Sequence, residues 1–129
     1  MTIQDIVASL PEARKKLHSI KEIIVANAVM ISEIPAPTEF EEERIQFINN
    51  RFEELGLQHT SIDEAGNAQA ILPGRNPSHN ILVAAHADTL KDEARFGANV
   101  SIVENGIAGW GIADNGLGLA ALVSLPEIL

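Results

Sequence analysis

An apolar run, Ile81-Leu82-Val83-Ala84-Ala85, leads directly into His86-Ala87-Asp88-Thr89. Asp114 follows 28 residues after that histidine, inside Gly109-Trp110-Gly111-Ile112-Ala113-Asp114-Asn115-Gly116-Leu117-Gly118. Imidazole nitrogen and carboxylate oxygen are borderline and hard donors that suit Zn²⁺, and an acid beside a ligating histidine can fix its ring and tautomer. A histidine at a strand end, an acid two residues on, and a second acid in a glycine-rich turn before a helix could therefore seat a hydrolytic metal. Each residue also has an ordinary reading. His86 could simply bond a neighbour, Asp88 could form a turn, and Asp114 before Asn-Gly could cap the last helix. Their shared position favours the chemical reading, because ligands in open α/β sheets gather at the carboxyl ends of strands. Gly109, Gly111, Gly116 and Gly118 would also let the backbone approach an ion and its substrate closely. His18, His59 and His79 read as solvent-facing. Glu41-Glu42-Glu43 reads as a solvated face that favours a helix N-terminus. Trp110 fits either hairpin packing or a wall of the cleft.

The elements that must position these groups follow from periodicity. Leu17, Ile20, Ile24, Ala28 and Ile31 recur at helical spacing, which predicts one amphipathic helix over 12–33 with Pro11 near its first turn. Ser32 to Pro37 ends it. Thr38 with Glu41 has the spacing of a capping box, and Ile45, Ile48, Phe52 and Leu55 form one stripe up to Gly56, which predicts a second helix over 39–55. Short extended pieces are expected at 57–62 and 67–72, then a loop through Pro73-Gly74-Arg75-Asn76-Pro77. The run 81–85 is apolar on both faces, as in a central strand covered on both sides. Asn105-Gly106 between 100–103 and 107–110 signals a hairpin, and 115–129 reads as a helix that Pro126 should kink or end. The fold class expected is α/β, a mixed sheet flanked by helices.

The chain of 129 residues has the size of one domain, and 46% hydrophobic with 21% charged residues marks it as globular rather than disordered. Its net charge of −9 disfavours nucleic acid or an anionic membrane as a partner. No cysteine is present, so any metal must be held by His, Asp and Glu. With no basic leader and no apolar stretch of spanning length, the chain reads as cytoplasmic.

The residues resemble a family. Ile34-Pro35-Ala36-Pro37-Thr38-Glu39-Phe40-Glu41-Glu42, then Leu55-Gly56-Leu57, His86-Ala87-Asp88-Thr89 and Asn105 to Asp114 look like the first part of an M20-type zinc metallopeptidase. The stretch Asp114-Asn115-Gly116-Leu117-Gly118 departs from the Asp-Met-Lys-Gly-Gly or Asp-Asp-Lys common there. It is closer to the Asp-Asn-Gly-Ser-Gly turn of the related M28 aminopeptidases. The resemblance implies a phosphorylase/hydrolase-like zinc-exopeptidase catalytic domain. In it His86 is a ligand of one zinc, Asp88 the catalytic-site acid that supports it, and Asp114 the carboxylate bridging two zinc ions. The reaction implied is hydrolysis of peptide or amide bonds in a peptide or N-acyl amino acid.

The resemblance also implies a Glu-Glu pair tens of residues after the bridging Asp, one the general base and the next a ligand, then a further acid and a late histidine. Fifteen residues follow Asp114, so 1–129 is expected to be the N-terminal part of a longer catalytic domain. On its own it should hold zinc weakly or not at all and lack peptidase activity. Its open sheet edges would favour association with itself, giving a homo-oligomer, or with the missing piece. The segment 91–98 is expected at the cleft mouth. Two competing readings remain: a non-catalytic relative serving as an interaction or structural domain, and a self-sufficient small binding domain.

Overall fold

The computed structural model describes residues 2–76, 78–90 and 100–129. It is a mixed α/β arrangement of helices and two small antiparallel sheets. In chain order these are α1 (Ile3–Ser19), α2 (Lys21–Glu33), α3 (Glu42–Glu54), β1 (Gln58–Ile62), β2 (Ala68–Ile71), β3 (Ser101–Val103), β4 (Gly106–Ala108) and α4 (Leu117–Ser124). The expected cleft-mouth segment 91–98 lies outside the described residues.

The core is built by three helices. Ala28 and Ile31 of α2, Ile48 and Phe52 of α3, and Leu119, Ala120 and Val123 of α4 form one buried apolar cluster. Each set repeats at three or four residues, the spacing that puts side chains on one helix face. Asn27 and Ser124 are buried within this interface, where Asn27 Nδ2 donates to Ser124 Oγ at 2.9 Å. That bond offsets part of the cost of burying the two groups, while Asn27 Oδ1 stays buried without a partner.

The single helix expected over 12–33 is two. A capping box starts α1 earlier: Thr2 Oγ1 accepts the Asp5 N–H at 3.2 Å, and Asp5 Oδ2 accepts the Thr2 N–H at 2.6 Å. Pro11 therefore lies inside α1 rather than at its first turn. The break falls at Ile20, with φ −106° and ψ 12°, and no residue of α1 is buried. The capping box expected at Thr38 is also corrected. The α3 helix starts at Glu42, and its N-cap, Glu41, makes no side-chain capping bond. At its other end Gly56 adopts φ +68°, the left-handed turn expected of a glycine after a helix.

Both hairpins form. β1 pairs with β2 with a register shift between Gln58 and Ser61, and β3 pairs with β4 through Val103 and Gly106. The run 81–85 is not the central strand of a mixed sheet. It joins no strand ladder among the described residues, and Ile81 and Leu82 are 89% and 91% exposed. A strand apolar on both faces needs ladder partners and two covering layers. Here each hairpin closes on itself, α3 packs on the β1–β2 hairpin, and α2 packs on α4. Only Ala85 and Ala87 reach the core's edge. The last helix ends as expected: a short 3₁₀ turn, Leu125–Glu127, contains Pro126. Among the described residues no helix is long and apolar enough to cross a membrane.

Candidate functional site

Although the run before it is unpaired, the His86-Ala87-Asp88-Thr89 segment is firmly placed, because the proline-rich turn after α2 grips it. The Thr89 N–H donates to the Ala36 carbonyl at 2.8 Å and the Thr38 N–H to the Thr89 carbonyl at 3.2 Å, a parallel bridge centred on Pro37 and Thr89. Thr89 is buried, and its hydroxyl also donates to the Ala36 carbonyl.

Arg44 completes the anchor. It is 2% exposed, and its Nη1 donates to the Ala87 carbonyl at 2.7 Å, while Nε and Nη2 both reach the Ile34 carbonyl. One guanidinium thus ties the end of α2, the start of α3 and the histidine segment together, using the planar fork that lysine lacks. Burial pushes its pKa down from the ordinary arginine value, and the nearby Asp88 charge opposes that shift.

Asp114 reaches the same place from the glycine-rich turn. Residues Ile112–Gly116 form a wide, irregular helical turn, and a cis peptide joins Asp114 to Asn115. Two glycines have steric causes. Gly111 has φ +75°, and a Cβ there would fall 2.7 Å from Thr89 Cγ2. At Gly116 a Cβ would fall 2.0 Å from Ser32 Oγ of α2. Both let this turn lie close against its neighbours, which is how Asp114 meets His86.

The three sequence-derived residues converge. His86 Nδ1 lies 3.0 Å from Asp88 Oδ1, and His86 Nε2 lies 3.2 Å from Asp114 Oδ1. Both imidazole nitrogens therefore face carboxylates, one from its own segment and one from the turn before α4. The side chains of His86 and Asp114 are 53% and 65% exposed, so this pair contributes about 1 kcal/mol or less to stability. Among the described residues no group of three or more His, Cys, Asp or Glu side chains could hold a metal ion. His18, His59 and His79 are exposed, as expected, and His79 Nδ1 contacts Asn76 Nδ2 at 2.9 Å.

Two supporting residues were not evident from the sequence. Thr38, expected to cap a helix, instead donates its hydroxyl to Asp88 Oδ2 at 2.8 Å. Arg44 had a signal: it falls four and eight residues before Ile48 and Phe52, on the buried face of α3. The Thr38 hydroxyl is the largest influence holding the Asp88 carboxyl below its usual 3.8; burial opposes it, and the His86 ring lowers the value further. A depressed carboxyl pKa contributes stability above the unfolded value and loses it as pH falls through the folded value. Thr38→Val is therefore expected to raise the Asp88 pKa toward 3.8 and to begin the loss of this contribution at a higher pH. Carboxyl ¹³C titration reads this directly. An unchanged Asp88 midpoint would show that the hydroxyl bond is idle.

No protein-family model matches the chain. Over 58 residues it is 45% identical to a protein of Thermococcus kodakarensis whose name proposes it as a LysW-lysine/LysW-ornithine hydrolase. The matched stretch covers 45% of this chain and 16% of that relative, so the chain corresponds to a small part of the longer protein's length.

Proposed function

We propose that this chain is the N-terminal part of a zinc-dependent hydrolase catalytic domain of the M20 type, acting on the amide bond of a peptide or N-acyl amino acid. The observation that carries this reading is the His86 imidazole held between Asp88 at Nδ1 and Asp114 at Nε2. The partial identity to a named hydrolase supports the same class.

The donor set fits zinc as far as it goes. His86 Nε2 and an Asp114 oxygen supply one borderline and one hard donor, half of a tetrahedral set. Bound zinc lowers the pKa of a coordinated water and polarises the scissile carbonyl. The chain's own residues prepare that chemistry. Asp88 holds Nδ1, which leaves Nε2 as the ligating nitrogen and raises its basicity. Thr38 fixes Asp88, and Arg44 fixes the main chain between the two. Asp114 is positioned by the close packing of its turn on Thr89 and α2.

Cobalt(II) titration of the isotopically labelled chain tests the reading, because its four histidines act as mutual controls. Paramagnetic broadening should centre on His86 and Asp114 at metal concentrations that leave His18, His59 and His79 sharp. Equal broadening of all four histidines, or broadening centred on His18, His59 or His79, would sink it and leave the interaction-domain reading.

A further inference from the structure

Helix α1 takes no part in the core or in the site, and its pattern is unusually regular. Ile3, Ile6, Leu10, Ala13, Leu17 and Ile20 recur at alternating spacings of three and four residues. That is a period of 3.5, the seam of a two-helix coil rather than of a helix lying on a globular core. The seam is uncovered: Ile3, Ile6, Leu10 and Leu17 are between 45% and 80% exposed, and only Ile20, at the junction with α2, is buried. The capping box at Thr2 and Asp5 fixes the helix start independently of tertiary contacts. At its far end a recess of about 290 Å³, lined by Arg14, Leu17, His18, Lys21, Ile24 and Val25, continues the apolar surface.

We propose that α1 is a self-association helix that pairs antiparallel with α1 of a second copy of this chain. Charge sets the orientation. Asp5 is the only charged residue among 2–10, whereas Arg14, Lys15 and Lys16 crowd the second half, with Glu12 as the only acid there. Parallel pairing would lay the two basic clusters side by side. Antiparallel pairing sets Leu10 opposite Ala13 and Ile6 opposite Leu17. It also sets Arg14 and Lys16 of one copy level with Ser9 and Val7 of the other, away from the partner's own basic cluster. The helix macrodipoles oppose as well. At 17 residues α1 is about 26 Å long, which places the pair at the small end of specific interfaces, so it is concentration-dependent.

Sedimentation equilibrium of the full chain over a roughly hundredfold concentration range should show the mass doubling. Leu10→Glu, at the centre of the seam, should hold the mass at the monomer value throughout. Because no residue of α1 is buried, its denaturation midpoint should match the parent's at dilutions where the parent is monomeric. The chain has no cysteine, so single-cysteine variants report orientation cleanly. Ala13→Cys should crosslink between copies. Ile6→Cys should not, since the two positions would lie eleven residues, about 16 Å, apart along the axis. A monomer at every concentration, a dimer indifferent to Leu10→Glu, or crosslinking at Ile6→Cys would each overturn the proposal.

Discussion

Arg44→Ala is expected to destabilise the fold by about 3–5 kcal/mol, more than removal of any single charged group at the surface. Arg44 is buried and satisfies two main-chain carbonyls, Ala87 and Ile34, that no other described donor reaches. Each carbonyl left without a partner away from water costs about 1–3 kcal/mol, and the space left by the side chain adds to that. Arg44→Lys should recover part of the loss, since an ammonium can reach one carbonyl but cannot present the fork. Urea unfolding of the three proteins measures the series. A loss under about 1 kcal/mol for Arg44→Ala would mean that water replaces the guanidinium and that the anchor is dispensable.

The second large effect concerns metal rather than stability. His86→Ala and Asp114→Ala are each expected to erase the localised cobalt response, because each leaves a single donor. Asp88→Ala keeps both donors but frees the imidazole ring, and should weaken the response about 10- to 100-fold. The exposed placement of these side chains predicts that all three variants unfold within about 1 kcal/mol of the parent. Separating the two readouts is what gives the series its force. A response that survives His86→Ala would move the metal away from this site. Asp88→Ala behaving like the parent would remove the acid's supporting role.

The meeting of the candidate residues was more legible in the sequence than the fold around them. His86, Asp88 and Asp114 could be singled out because donor chemistry is a property of residue type, and the structure brings them within hydrogen-bond distance. The β3–β4 hairpin, the extended pieces that became β1 and β2, and the stripe of α3 were legible because turn chemistry and helical period are local. What failed was not local. The run 81–85 has the composition of a central strand, but composition cannot supply the neighbours that a ladder requires. The pattern across Leu17, Ile20 and Ile24 runs unbroken across the break at Ile20, so periodicity alone could not show that it served two helices. Thr38 could cap a helix or bond an aspartate fifty residues away, and only the fold decides between them.

The bond between Asn27 and Ser124 joins residues 97 apart, and α4 is the last helix of the core. On a translating ribosome, α2 and α3 are complete long before Leu119 and Val123 emerge to cover them. The 71 residues from Phe52 to Val123 take roughly 4–14 s to synthesise at about 5–20 residues per second. During that interval Ala28 and Ile31 of α2 lack α4, their main partner, while α3 already has the β1–β2 hairpin beside it; helices themselves form in microseconds. The nascent chain therefore waits with the apolar face of α2 open for longer than any local folding event requires, and it is in this window that a holding chaperone would have the most to protect.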